Sequence, residues 1–196
     1  MTSLVKTCIE ELNRKVRKNP LAYLSESDVQ SELFAILLRR FNRLERVKNV
    51  YMWGTKIKGV APVFSRQLHS EFLLAEGRID LALLDLKKVM MAFNSRGRFG
   101  HLQPEESRKH VFIEIKSSRT NRSRVSSKHR WIQLVMSDIR KLNEYKNACF
   151  LICYDFDDLL GKADVSSLAA KAHKNVVVIY VRTRSNFSLR DVRSIA

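Results

Sequence analysis

Apolar positions recur at helical spacing from the first residues: Leu4, Val5, Cys8, Ile9, Leu12 and Val16 fall on one face of a 3.6-residue helix. Asn19-Pro20 ends that run, because proline lacks the N–H a helix needs, so the pattern predicts a helix over 3–18. After "LAYLSE", Ser27 or Asp28 is an N-cap for "VQSELFAILLRRF", a second helix ending between Arg40 and Arg46. The period then shortens. "VKNVYMW" and "VAPVFSRQLHSEFLL" suit β-structure broken by Gly54, Gly59 and Pro62, and "RIDLALLDL" and "HVFIEIKSS" read as strands. Between those two strands, 87–109 is a basic insertion rich in glycine and charge, a long loop or a protruding hairpin.

"SRTNRSRVSSKHR" has no acid and no core, and reads as a mobile basic loop. "WIQLVMSDIRKLNEY" is an amphipathic helix, "ACFLICYDF" a strand, "SSLAAKAHK" a helix and "VVVIYVRT" a last buried strand. The order helix–helix–three strands–helix–strand–helix–strand predicts an α/β fold: a mixed central β-sheet flanked by helices, its early strands pairing as a meander. No linker or repeat divides the chain, so 1–196 is expected to form a single domain.

Charge narrows the function. Against 20 Asp+Glu stand 36 Lys+Arg, a net charge of +16, which favours a polyanionic partner and nucleic acid first. No stretch approaches the ~18 apolar residues of a membrane span, and "MTSLVKTCIEELNRKVRKNP" lacks the apolar core of a signal peptide. The expectation is an intracellular, cytoplasmic protein associated with the nucleoid. Cys8, Cys149 and Cys153 match no zinc spacing and read as small buried hydrophobes.

Four charged side chains occupy positions where a core pattern calls for apolar ones. On a strand, Glu114 and Lys116 of "IEIK" point to the same side of the sheet. In "GRIDLALLD", alternation sets Ile79, Leu81 and Leu83 on one face and Asp80, Ala82 and Leu84 on the other. Glu32, three residues after Val29 and four before Ile36, lies in the apolar stripe of its helix. Charges there are costly unless paired or bound to metal. Taken singly, Glu114 and Lys116 would be an ion pair on a sheet face. Asp138, Asp155, Asp157 and Asp158 read as helix-surface and strand-end charges, Glu71 as an exposed strand position, and His101, His110 and His129 as surface residues.

A helical Glu, a strand Asp, an E-x-K on the next strand and a following helix with Gln form an order that resembles the PD-(D/E)xK nuclease superfamily. That group includes many restriction endonucleases and the archaeal Holliday-junction resolvases. The matching positions are Glu32, Asp80, Glu114, Lys116 and Gln133, within a span from Val29 to Phe156. "RID" replaces the nominal Pro-Asp, and the interval from Asp80 to Glu114 is longer than in minimal members.

The resemblance implies a restriction-endonuclease-like core and metal-dependent phosphodiester hydrolysis. Asp80, Glu114 and the Ile115 carbonyl would hold Mg²⁺ or Mn²⁺, with Glu32 on a second metal or a coordinated water. Lys116 would orient the attacking group and stabilise transition-state charge, and Gln133 would position phosphate or water. Arg119, Arg122, Arg124, Lys128 and Arg130, next to the E-x-K strand, and Arg96 and Arg98 in the insertion, are candidate DNA contacts.

The leading expectation is a structure-selective endonuclease of recombination or repair, acting on DNA and, as a resolvase, requiring a homodimer. A sequence-specific restriction or homing enzyme, and a non-catalytic DNA-binding protein that keeps the fold, are the alternatives. A basic membrane-surface protein has little support, since no strongly basic amphipathic helix with exposed aromatics stands out.

Overall fold

The computed structural model describes residues 1–47, 49–52, 55–56, 63–74, 77–93, 100–104, 110–119 and 127–182. Along them run α1 (Thr2–Lys18), α2 (Glu26–Phe41), β1 (Leu44–Val47), β2 (Asn49–Met52), β3 (Thr55–Lys56), β4 (Val63–Arg66), β5 (Leu68–Leu74) and β6 (Gly77–Leu83). There follow β7 (Val89–Phe93), β8 (Gly100–Pro104), β9 (Val111–Ser117), α3 (Lys128–Asn143), β10 (Ala148–Asp155), α4 (Lys162–Ala169) and β11 (Val176–Arg182).

The central sheet has the order β11-β10-β9-β6-β5. Strands β5, β6 and β9 pair antiparallel, as the expected meander, while β10 lies parallel to both β9 and β11. A parallel neighbour needs a crossover, and α3 and α4 supply the two. Gly77, φ +124°, opens β6 with a backbone conformation that side-chain-bearing residues rarely adopt.

Strand alternation sorts the core onto both faces. Leu81, Leu83, Val111, Ile113, Ile115, Phe150 and Ile152 pack against the buried stripes of α1 and α2. Ala82, Leu84, Phe112, Cys149, Leu151 and Cys153 meet Trp131, Val135, Ile139 and Leu142 of α3 and Leu168 of α4. The result is an α/β fold with a mixed central sheet flanked by helices. The three cysteines are free and buried.

The insertion contributes a hairpin rather than a loop: β7 and β8 pair antiparallel and join β2 and β3 in a second sheet, order β3-β2-β7-β8. The second helix is capped two residues before Ser27 and three before Asp28, the expected caps. Ser25 is its N-cap, with the Asp28 amide donating to Ser25 Oγ (3.3 Å) and the Ser25 amide to Asp28 Oδ2 (2.8 Å). Asp28 is thus the third residue of a capping box and not the cap. Lys128, His129 and Arg130, expected in the basic loop, form the first turn of α3, capped by Ser127.

Two other polar residues are buried against expectation. His110 is fully enclosed, its Nδ1 accepting from the Asp85 amide at 3.1 Å. Asp155, 0% exposed, accepts from the amides of Asp157 (3.2 Å) and Leu160 (3.1 Å) and from the Tyr180 hydroxyl. Both satisfy the rule that a buried polar group finds partners.

Candidate functional site: an open rung between two strands

The ladder between β6 and β9 runs Leu83–Val111, Ala82–Phe112 and Leu81–Ile113, and stops there. The next rung in that register would join Asp80 to Glu114. In its place, the Asp80 carboxylate accepts the Ile115 amide at 2.7 Å. A side chain has replaced main chain as the acceptor where the two strands part. On the other edge of β6, the missing rung of the β5–β6 ladder lies between Ser70–Leu81 and Phe72–Ile79, opposite the same Asp80. Glu71 occupies it with φ 50°, exposed, and paired with Arg78 at 3.0 Å. Gln30 of α2 bridges this place, donating to Glu71 Oε1 (2.7 Å) and to the Asp80 carbonyl (3.2 Å).

Glu114 is nearly enclosed, its side chain 7% exposed. Lys141 of α3 lies 2.7 Å from Oε1, while Oε2 is buried with no hydrogen-bond partner. Burial, joined by the neighbouring Asp80 charge, pushes Glu114 up to about 7. Burial likewise pushes Asp80 up to about 6, against the Ile115 amide that favours its charge.

Lys116, two residues along β9, is itself paired. Its Nζ lies 3.3 Å from Asp138 Oδ2 and 3.7 Å from Glu26 Oε1. Glu26 Oε2 also accepts the Ser117 amide at 3.1 Å. Burial works against the ammonium, but the charges of Asp138, Glu26 and Glu114 outweigh it and raise Lys116 above the ordinary lysine range. Burial in turn raises Glu26 and Asp138 despite the Lys116 charge.

Asp80, Glu114 and Lys116 therefore occupy one neighbourhood on the α3 side of the sheet. Glu32 and Gln133 do not join them. Glu32 turns to α1 and pairs with Lys15 at 2.6 Å. The helical acid at the site is Glu26, one turn before Gln30 on the same side of α2. Helix α2 packs against both α1 and the sheet, and Glu32 is on the side that meets α1. Gln133 is on the exposed side of α3, its amide 2.8 Å from His129 Nε2.

Asp138 corrects the expectation of a helix-surface charge. It stands in the buried stripe Trp131–Val135–Asp138–Leu142, the same spacing that singled out Glu32, so the signal was available in the sequence. Glu26, three residues before Val29 and seven before Leu33, also keeps the stripe spacing of α2, but lies ahead of the expected helix start; nothing local distinguished Lys141, whose role depends on contacts across the fold.

Among the candidate DNA contacts, Arg119 stacks 4.7 Å above the Phe156 ring and Lys128 pairs with Asp164 of α4 at 2.8 Å. Arg130 is exposed on the first turn of α3. Arg96, Arg98, Arg122 and Arg124 lie outside the described residues.

Among the described residues, no three His, Cys, Asp or Glu side chains converge as a metal-holding group. The pair Asp80–Glu114 nevertheless has the chemistry of a hard-cation site: adjacent carboxylates, one with a buried oxygen lacking a partner. The carboxylates of Glu26, Asp80, Glu114 and Asp138 outnumber the ammonium groups of Lys116 and Lys141 by two. With all of them ionised the cluster carries two negative charges in excess, which uptake of protons or of one divalent cation would balance. The chain matches no protein-family model, no curated protein and no solved structure.

Proposed function

We propose that the protein is a divalent-metal-dependent nuclease with a restriction-endonuclease-like core that hydrolyses phosphodiester bonds in DNA. The observation that carries this reading is the open rung: Asp80 and Glu114 meet where β6 and β9 part, with Lys116 two residues further along. The meander β5-β6-β9, crossed by α3 to a parallel β10, also fits the strand order of that superfamily. The net charge of +16 suits a phosphate backbone as partner.

In this reading Asp80, Glu114 and the Ile115 carbonyl hold Mg²⁺ or Mn²⁺, with water filling the remaining positions, as Mg²⁺ prefers. A cation bound there supplies Lewis acidity toward the phosphodiester and nucleophilic water at neutral pH. Lys116 offers a fixed positive charge to the phosphoryl oxygens of the transition state. Asp138 and Glu26 are positioning residues, holding that ammonium in place. Arg130 and the basic segment before α3 grip the DNA backbone. The substrate we favour is branched or otherwise structured DNA of recombination or repair on the nucleoid, cut by a homodimer.

One observation favours a second reading, a DNA-binding protein without cleavage: both lysines are already committed to carboxylates, and Glu32 is turned away. Incubation with linear duplex, single-stranded and four-way-junction DNA, with and without Mg²⁺ or Mn²⁺, separates the two. Metal-dependent cleavage abolished by Asp80→Asn, Glu114→Gln and Lys116→Met is expected. Binding without cleavage of any substrate would favour the second reading.

A further inference from the structure

Lys141 is the part of the cluster that a metal site would not need. Its Nζ lies 2.7 Å from Glu114 Oε1, on the carboxylate that the proposed metal must share. A dication and an ammonium cannot both take the best approach to one carboxylate without repelling each other. Lys141 has a second contact to fall back on, donating to the Arg78 carbonyl at 3.0 Å. Its side chain is 20% exposed while that of Glu114 is 7% exposed, so the lysine keeps contact with solvent that the carboxylate largely lacks. The other oxygen of Glu114 is left without a partner, so the lysine compensates the carboxylate only in part.

We propose that Lys141 is a displaceable internal counter-ion: its ammonium holds Glu114 in the metal-free protein and yields the carboxylate to a divalent cation, staying tethered to the Arg78 carbonyl. The inference rests on the reading of Asp80 and Glu114 as metal ligands. Lysine suits this task better than arginine. Its compact charge on a flexible stem lets go of a carboxylate more readily than a planar guanidinium that binds in two places.

The test is calorimetric titration of the full chain, freed of metal with EDTA and dialysed, with MnCl₂ alone and no DNA present. Lys141→Met is expected to bind Mn²⁺ about tenfold more tightly than the wild type, a factor worth ~1.4 kcal/mol. Lys141→Arg is expected to bind more weakly, because the guanidinium competes better. Arg140→Met, which removes a charge from the adjacent exposed position, is expected to leave the affinity near that of the wild type; an equal gain there would make the effect general charge removal and overturn the inference. Should Lys141→Met not fold, Lys141→Gln carries the same expectation, since it keeps a donor and loses the charge. Unchanged or weaker binding in the neutral variant would make Lys141 a support of the site and overturn its role as a competitor. Absence of Mn²⁺ binding in the wild type and every variant would instead remove the metal reading itself, and the inference with it.

Discussion

Asp80 and Glu114 face each other across the first rung at which β6 and β9 stop pairing, and the Asp80 carboxylate takes over the Ile115 amide at 2.7 Å. The sheet thereby gives up a main-chain hydrogen bond and places two carboxylates together. Like charges at close range in a poorly solvated place raise each other's affinity for protons or metal. That cost makes the pair unlike a surface ion pair, and it has measurable consequences.

The first is a pH dependence of stability. Glu114, pushed up to about 7, and Asp80, up to about 6, bind protons more tightly in the folded chain than in the unfolded one. Between the unfolded carboxylate values and neutral pH, the folded state carries more protons, so stability falls as pH rises through that range. Metal-free protein is expected to melt at a higher temperature near about pH 5 than near about pH 8, with the loss complete above the folded values. Asp80→Asn combined with Glu114→Gln is expected to flatten that part of the profile, read by thermal melts in EDTA.

Lys116 neutralises two acids at once, and its removal strands them. Lys116→Met is expected to cost about 3 kcal/mol, because a largely buried Asp138 loses its partner. Adding Asp138→Leu is expected to restore much of that stability in urea unfolding, while any cleavage activity stays lost. Restored cleavage in the double variant would remove Lys116 from the chemistry.

The two acids of α2 give a contrast. Glu32→Ala breaks an exposed pair with Lys15 and is expected to leave Mn²⁺ affinity and DNA cleavage unchanged. Glu26→Gln weakens the hold on Lys116 and the Ser117 amide, and is expected to lower kcat with little change in metal affinity. The reverse ranking would return Glu32 to the site.

DNA binding is expected to weaken steeply with salt. Contact with five or more phosphates corresponds to a slope of log K against log [KCl] of about −4.5 or steeper. Fluorescence anisotropy on a labelled duplex over a KCl series measures it; a slope near zero would remove the phosphate grip.

The sequence carried the fold in its periods. Helical spacing from Val5 to Val16 and alternation in "RIDLALLDL" and "HVFIEIKSS" reflect burial on one face or two, which is written residue by residue, while Leu4, in the same spacing, is exposed. Asp80, Glu114 and Lys116 were legible for the same reason, as charges in apolar register. Asp138 obeys the same rule within α3, where it is buried and not the surface charge its residue type suggests. The second sheet was less legible, because its strands are short and the pairing that joins its two halves, β2 with β7, spans a long stretch of chain.

What the sequence by itself determined, then, is the order of elements and which charges stand where hydrophobes belong. Only the tertiary structure decided which helical residues face those charges. Glu26 and Lys141 reach the cluster from α2 and α3, while Glu32 turns to α1. The physical reason is that a helix packed on two sides offers several inward directions, and periodicity alone does not say which neighbour each one meets.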